Sequence, residues 1–308
     1  MTTKPKVFIV GISGMIGYSL GLHLREKFLV TGACFSNQVW IPGAQIFPVT
    51  LKTSDVLEAV IRTQRPDFVI GAAGMSDRRE VEEQPKVSDL VNIMMPVSTA
   101  ILSSRLKAKY IHIGCAEVFD GDRGMYKEED TDFTMTDAVG KQKMAAYSYI
   151  RAQTLESTNL RLGRVLGVGH PHRQSFFDRI RFQAAARQNF EASKKKSRSY
   201  VSAHSVCLAV ERILLGDFPG RHRLFHVGGA NMTEHELVSS WYQLMGADPR
   251  LVNVLDDTKR DLSLANTLME TTYPGWKAED KRTLFENLVR DLTPAVGIKR
   301  WQRTLQTL

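Results

Sequence analysis

Cysteine is scarce in this sequence. Cys34, Cys115 and Cys207 are the three among 308 residues. Their odd number and wide spacing match neither a disulfide framework nor the paired spacing of a zinc site. So little cysteine, so widely spaced, is typical of proteins from a reducing compartment. We therefore expect reduced thiols.

Long apolar runs and an apolar leader are missing as well. The apolar runs fall short of the ~18 residues that a membrane-spanning helix needs, and residues 1–6 lack the apolar region of a signal peptide. We therefore expect a cytoplasmic protein with no membrane partner. A chain of 308 residues with 43% hydrophobic and 24% charged residues has ordinary globular composition. It is long enough for one large α/β domain, alone or with a smaller partner.

Negative charge is the minority sign. The chain has 33 acidic and 41 basic residues, so its net charge is +8. This balance favours acidic partners, and a phosphorylated small molecule satisfies it as well as nucleic acid does. The dense basic block comprises Lys194, Lys195, Lys196 and Arg198. We interpret it as a solvated loop, the alternative being a patch that contacts a diphosphate or nucleic acid. No aromatic residues interleave with basic ones, and we expect no nucleic-acid partner.

A glycine-rich stretch opens the chain, KVFIVGISGMIGYSL at residues 6–20. The apolar residues 7–10 predict a buried parallel strand that leads into Gly11, Gly14 and Gly17. At this spacing the glycines permit a tight turn, the approach of a pyrophosphate and close packing of the next helix. N–H groups of that helix's first turn would face the anion. We predict dinucleotide binding, a structural βα turn being the alternative, by Gly11, Ser13, Gly14, Met15, Ile16 and Gly17.

An acidic residue is missing after the second predicted strand, residues 29–35. An Asp or Glu there would bind the ribose 2′-OH of NAD. The chain instead has Ser36 and Asn37, which leave room for a 2′-phosphate and can donate hydrogen bonds to it. These two residues favour NADP as the cofactor, with NAD still open.

Small residues follow the fourth predicted strand, residues 68–71. Ala72, Ala73 and Gly74 come directly after Gly71. Ligands of parallel α/β sheets bind outside the carboxyl ends of the strands. Residues with little or no side chain there let the backbone pass close to a cofactor. We therefore add Ala72, Ala73 and Gly74 to the candidate cofactor-binding residues.

Strand and helix signals alternate along the chain. Further strands are predicted at 46–49, 110–114, 159–162 and 224–227, and helices at 54–64, 86–106, from 137, at 175–188, 204–215 and 233–245. The alternation predicts an α/β fold, a doubly wound parallel sheet (Rossmann) with a smaller, mostly helical C-terminal substrate lobe. We assign residues 1–166 and 195–228 to the dinucleotide-binding domain and 167–194 and 229–308 to the lobe. The lobe would end in a helix at 281–292 and a basic tail at 294–308.

Several motifs together resemble the extended short-chain dehydrogenase/reductase superfamily, and within it dTDP-4-dehydrorhamnose reductase. The resemblance covers roughly residues 5–292. Besides the glycines it rests on Arg65-Pro66-Asp67, Val91-Asn92, His112-Ile113, Val118-Phe119-Asp120-Gly121, Tyr126, the segment 128–130, Gly140 and Lys143. It implies a nucleotide-sugar reductase and places Asn92 and Lys143 at the cofactor. The regulatory subunit of methionine adenosyltransferase, which binds a partner enzyme, is similar to the same reductases.

The chemistry that the resemblance implies is reduction of a sugar keto group by hydride from a nicotinamide. A tyrosine would supply the proton, a lysine four residues later would lower its pKa, and a Ser or Thr would bind the carbonyl. The sequence departs from this pattern. Lys143 is present, but Val139 stands at the tyrosine position and Cys115 at the hydroxyl position. Valine cannot donate a proton and a thiol is a weak hydrogen-bond donor.

A relocated proton donor is the alternative to a damaged site. Tyr147 lies four residues after Lys143 on the same helix face, and Glu117 follows Cys115 closely. Tyr147 is otherwise interpreted as core packing. Lys143, Cys115, Tyr147 and Glu117 are therefore the candidate catalytic residues.

His170 and His172 alternate in an extended segment and so invite a metal-site hypothesis. No carboxylate or cysteine lies at ligand spacing. We expect no metal there, and a diphosphate or sugar contact is the favoured function of this loop.

Three functions are compatible with these patterns. The first is an NADP(H)-binding protein of the nucleotide-sugar reductase type with weak or absent activity, serving as a binding or regulatory subunit of a protein partner. The second is an active ketoreductase, epimerase or dehydratase that uses Glu117, Tyr147 or Cys115. The third, a nucleic-acid or membrane-surface binder, would lose affinity steeply with salt.

Overall fold

The computed structural model describes residues 4–50, 54–134, 137–153, 156–169, 174–216 and 223–292. The histidines at positions 170 and 172 and the tail at 294–308 lie outside the described residues, so the hypotheses about them stay predictions.

The secondary structure alternates between strands and helices. The strands are β1 (Lys6–Val10), β2 (Leu29–Cys34), β3 (Gln45–Pro48), β4 (Phe68–Gly71), β5 (Lys109–Cys115), β6 (Ser157–Leu162), β7 (Arg164–Leu166), β8 (Phe190–Ser193), β9 (Lys196–Ser202), β10 (Arg223–Val227), β11 (Ala230–Thr233), β12 (Val252–Leu255) and β13 (Arg260–Leu262). The helices are α1 (Met15–Leu24), α2 (Ser54–Gln64), α3 (Arg78–Glu83), α4 (Pro85–Asp89), α5 (Met95–Arg105), α6 (Ala138–Ala152), α7 (Phe176–Ala185), α8 (Ala203–Leu215), α9 (Glu234–Leu244), α10 (Thr267–Thr272) and α11 (Lys281–Leu292).

Seven of the described strands form one sheet in the order β10-β6-β5-β4-β1-β2-β3. The neighbours from β3 to β5 pair in parallel. From β1 the chain first builds outward to β2 and β3, then returns to place β4 on the other side of β1. This is the doubly wound arrangement, so the predicted α/β fold is confirmed. The reversal between β1 and β4 creates the crevice in which such sheets bind ligands.

The apolar runs of the central strands are buried on both faces of this sheet. Val7 to Val10 of β1 are all at most 1% exposed, as expected for parallel strands that are covered by helices on both sides. On one face, Phe8 and Val10 join a cluster with Val69 and with residues of α2, α5 and α6. This packing fixes the strand ends that carry the candidate site.

The chain divides into two compact units. The first comprises Met1–Val118, Phe133–Arg161 and Cys207–Phe225, and the second comprises Phe119–Asp132, Leu162–Val206 and His226–Leu308. These boundaries differ from the expected ones, chiefly because residues 119–132 and 195–206 belong to the second unit. β9 explains the latter segment, since it pairs with β7, β11 and β13 of the same unit.

The second unit is mixed α/β rather than mostly helical. It has a small sheet, β11-β9-β13 with β7 beside β9, and a pair β12-β8. Its core packs α7, α9 and α11 together, with the Phe177 and Trp241 rings 4.7 Å apart edge to face. The helix predicted at 233–245 is present as α9, and a capping box formed by Thr233 and Glu236 begins it.

The basic block is part bend and part strand, which corrects the interpretation as a solvated loop. Lys196 begins β9, and its ammonium lies 2.6 Å from Asp257. Lys195 is exposed and lies 2.8 Å from Asp256. Two of the four positive charges of the basic block are therefore paired with acidic side chains of the same unit.

The long helix predicted at 86–106 is interrupted. α4 and α5 are joined by a π-helical turn, Leu90–Met94, which contains the buried Asn92. Among the described residues, Pro85–Arg105 is one helical stretch long and apolar enough to cross a membrane, contrary to the expectation that the apolar runs are too short, but half of its apolar window is buried. Core helices of soluble proteins show the same pattern, so this stretch is weak evidence for a membrane span.

Candidate functional site

The glycine turn after β1 requires glycine at two of its three positions. Gly11 has φ of +86°, and a Cβ there would lie 2.6 Å from the backbone of Ala73. A Cβ on Gly17 would lie 2.2 Å from the Gly11 carbonyl oxygen. Both contacts are too close for any side chain, because real Cβ atoms do not approach within 3.0 Å. These two glycines therefore hold β1, the loop after β4 and α1 in close contact.

Gly14 differs from the other two because its surroundings are open. Its hypothetical Cβ would meet only the Gly11 carbonyl oxygen, at 3.5 Å, and the residue is exposed. It is also the N-cap of α1, and this fully described first turn has no side-chain cap and no acidic residue. Ser13, Met15 and Ile16 beside it are partly exposed. A helix N-terminus carries positive partial charge, so the open side of this turn fits a pyrophosphate.

The end of β2 places the predicted ribose-binding residues beside this turn. Gly11 and Ile12 donate hydrogen bonds to the carbonyl of Ala33, at 2.9 and 3.1 Å, which ties the turn to β2. Ser36 is exposed and Asn37 half-buried. Acidic residues are missing from the sequence between positions 27 and 54. A 2′-phosphate beside Ser36 would therefore meet no carboxylate from this part of the chain.

The small residues after β4 lie across the crevice from the turn. Ala72 donates a hydrogen bond to the Val10 carbonyl at 3.0 Å, and Ala73 is the residue that excludes a side chain at Gly11. Gly74 is exposed, and a Cβ on it would lie 2.7 Å from the Nζ atom of Lys143. The segment thus connects the predicted pyrophosphate site to the predicted catalytic lysine.

Asn92 holds this segment in place. Its side chain is fully buried, accepts a hydrogen bond from the Met75 amide at 2.9 Å and donates one to the Met75 carbonyl at 2.9 Å. Its amide nitrogen also lies 2.7 Å from Oε1 of Gln142 on α6. The π-helical turn brings Asn92 to this position, in keeping with the frequent use of such turns at functional sites. Contact of Asn92 with a cofactor stays a prediction.

The position expected for a catalytic tyrosine is apolar. Val139 is 1% exposed and packs in the core, and Cys115 packs against the same cluster. Burial raises the pKa of the Cys115 thiol to about 11, and Glu117 adds to this increase. The thiol is therefore neutral and unreactive at physiological pH.

Lys143 is retained but buried. It is 7% exposed, and burial lowers the pKa of its ammonium, while Cys115 partly opposes this effect. His112 on β5 is also buried, and both ring nitrogens lack a hydrogen-bond partner among the described residues. Burial, with the nearby Lys143 charge, lowers the pKa of His112 to about 3, so the imidazole is neutral at physiological pH.

The two alternative proton donors have other contacts. Tyr147 packs on the guanidinium of Arg161, which lies 5.1 Å from the Tyr147 ring centre and 5.4 Å from that of Phe133. Glu117 lies 3.4 Å from the guanidinium of Arg78, which also pairs with Asp137. Sequence reasoning missed Arg78, whose isolated position after a small-residue segment gave no signal. The catalytic roles of Tyr147 and Glu117 stay predictions.

Residues 5–265 match the family model described as the RmlD substrate binding domain. The chain belongs to this family. Among relatives, it is 24% identical to the spore coat polysaccharide biosynthesis protein SpsK of Bacillus subtilis over 249 residues, 79% of this chain and 77% of that protein. It is 21% identical to methionine adenosyltransferase 2 subunit beta of Xenopus laevis over 310 residues, 97% and 91% of the two chains.

Solved structures agree with the RmlD family's fold. The dTDP-4-dehydrorhamnose reductase of Bacillus anthracis, in complex with NADP, superposes with a TM-score of 0.77 at 16% identity, covering 95% of this chain and 100% of that one. The resemblance inferred from the motifs is confirmed by the match to the RmlD family model over residues 5–265. At this identity the superposition shows the fold alone.

Among the described residues no group of three or more His, Cys, Asp or Glu side chains is arranged to hold a metal ion.

Proposed function

We propose that this RmlD-family protein binds NADP(H) in the crevice at β1 and β4 and has little or no reductase activity. The observation that carries the proposal is a contrast within one site. The glycine turn is open at Gly14, where a pyrophosphate would lie, whereas the position for the proton donor is the buried Val139.

We infer that three groups of residues along the crevice hold the cofactor. The backbone of residues 13–16 would bind the pyrophosphate, Ser36 and Asn37 the 2′-phosphate, and Lys143 the nicotinamide ribose. The loop after β4, positioned by Asn92, would line the crevice. When bound, NADPH supplies hydride to a carbonyl carbon, and a general acid must then protonate the oxygen. Val139 has no proton to donate, and Cys115 keeps its own because its pKa is raised.

A binding or regulatory role follows from cofactor binding without turnover. Support comes from the relative of nearly equal length that is named as a subunit, methionine adenosyltransferase 2 subunit beta. We infer that the ligand is a nucleotide sugar or another phosphorylated small molecule. We also infer that the protein serves as a binding or regulatory subunit of a protein partner. The second unit would be the substrate lobe. The active enzyme remains the second candidate, because Tyr147 lies one turn after Lys143 on α6 and Glu117 lies in the turn that directly follows β5.

Gly14→Asp is expected to abolish NADPH binding without loss of stability. The new carboxylate would face the phosphates, yet Asp is a preferred N-cap and Gly14 has the extended backbone conformation of an N-cap. Gly14→Asn is the matched control, since it has the same shape and capping ability without the charge. Isothermal calorimetry and thermal unfolding test both variants. If wild-type protein binds no NADPH in low salt, the proposal is wrong.

Ser36→Asp is expected to reverse a preference for NADPH over NADH. The carboxylate would accept a hydrogen bond from a ribose 2′-OH and repel a 2′-phosphate. Ser36 is exposed, so the fold should tolerate the change. Ser36→Asn is the matched control, because asparagine is uncharged and has the same size as aspartate. It should keep the wild-type preference. Equal affinities of wild-type protein for the two cofactors would contradict the expectation.

A further inference from the structure

A row of polar side chains lies inside the main sheet, on the face that α5 and α6 cover. Tyr110 and His112 alternate with isoleucines on β5, and Asn159 lies on β6, the neighbouring strand. All three residues are at most 3% exposed. The Tyr110 hydroxyl, both ring nitrogens of His112 and both amide atoms of Asn159 have no hydrogen-bond partner among the described residues. Such a group is unusual, because proteins pair nearly all of their buried polar atoms.

Strand register places these polar groups side by side. The Tyr110 amide donates a hydrogen bond to the Glu156 carbonyl at 3.4 Å, and in a parallel pair this bond puts His112 beside Asn159. On the other side of His112 lies Gly71 of β4. A Cβ on Gly71 would clash with the Tyr110 hydroxyl, so this hydroxyl reaches the level of the imidazole. The hydroxyl, the imidazole and the amide therefore form one row across β4, β5 and β6, whose strands are about 4.8 Å apart.

The chemistry of the row suits water as the ligand. The Tyr110 hydroxyl and the Asn159 amide can each donate and accept hydrogen bonds, and the His112 imidazole, kept neutral by burial, has one donor and one acceptor. A buried water also donates and accepts, and it makes about three hydrogen bonds. A bound ion would instead need an opposite charge beside it, and these three side chains have none.

We infer that buried water molecules bridge Tyr110, His112 and Asn159 and form an internal hydration site in the main sheet. Roughly two waters suffice to pair the polar atoms of the row, at about three hydrogen bonds for each water. The buried Ser157 hydroxyl, also without a partner among the described residues, extends the site along β6. This site is independent of dinucleotide binding.

A crystal structure of the wild-type protein, at a resolution that shows ordered waters, tests the inference directly. We expect water density about 2.7–3.2 Å from polar atoms of His112 and Asn159, with each water in contact with at least two side chains of the row. Side chains of the row that bond to one another, with no water between them, would overturn the inference. This measurement needs no variant to fold.

Urea unfolding of Asn159→Leu provides a second test, because the two possibilities predict changes of opposite sign. If waters pair the amide, its removal leaves the waters and His112 with fewer partners. The equilibrium constant for unfolding should then rise by roughly tenfold, the usual cost of one unpaired buried polar group. In a dry core the same change would remove an unpaired amide and stabilise the protein.

His112→Phe combined with Asn159→Leu should destabilise the protein less than the sum of the two single changes, because both groups that hold the waters are then absent. Thr158→Val is the matched control. It removes a buried hydroxyl, also without a described partner, from the opposite face of β6, and its effect should add to that of His112→Phe. Stabilisation by Asn159→Leu, or simple addition of its effect to that of His112→Phe, would overturn the inference.

Discussion

Val139→Tyr combined with Cys115→Thr is expected to increase the rate of NADPH oxidation with 4-keto nucleotide sugars by roughly 10²- to 10⁴-fold, the usual contribution of a general acid. The phenol would stand one turn before Lys143 on α6, where the ammonium can lower its pKa. The threonine would supply the hydroxyl that binds the carbonyl. The rate is measured by absorbance of NADPH over a panel of such sugars.

Val139→Phe with Cys115→Thr is the matched control, because it adds the same bulk without the hydroxyl and should show no gain. Both variants overfill a buried position, at a cost of about 1–3 kcal/mol, so their thermal stabilities should be similarly lowered. Tyr147→Phe should leave the wild-type rate unchanged, since Tyr147 packs on Arg161. Wild-type turnover above about 1 s⁻¹ would contradict the damaged-site proposal, and its loss in Tyr147→Phe would identify a relocated donor.

Acid is expected to destabilise the protein through His112. Above pH 6.5 the imidazole is neutral in both the folded and unfolded chains, so its contribution does not vary. As the pH falls from 6.5 toward the folded value of about 3, only the unfolded chain gains the proton. The free energy of unfolding then falls by about 1.4 kcal/mol per pH unit, or roughly 4–5 kcal/mol across the window.

His112→Phe removes this titration and keeps a ring beside Tyr110, which stacks on His112 with centroids 6.3 Å apart. Urea unfolding between pH 4 and 7.5 should give a shallower acid slope for this variant than for wild type. The carboxylates titrate in both proteins, so the difference between the slopes isolates His112. His235→Gln, at a partly exposed position on α9, is the control. Parallel curves for wild type and His112→Phe would show that the imidazole accepts its proton in the folded state.

Local patterns sufficed to predict most of the sheet. β1, β4 and the glycine turn were predicted because consecutive apolar residues and glycines act over a few residues of chain. β7, β8 and β9 were missed because their pattern is not apolar: β9 begins at Lys196 within a basic block and is stabilised by pairing with β11, far away in sequence. The break in the helix at 90–94 also depends on a contact distant in sequence, since Asn92 in this turn is hydrogen-bonded to Met75. A local pattern could not predict it.

The sequence by itself determined the fold class, the glycine turn and the absence of a phenol four residues before Lys143, because each of these depends on residue type at short spacing. Tertiary structure alone decided which acids and bases are in contact. Arg78 pairs with Glu117 and Asp137, Tyr147 packs on Arg161, and Lys143 is left buried beneath Gly74. Charge and burial depend on neighbours brought together from different strands and helices, so the reactivity of this site follows from packing and not from any motif.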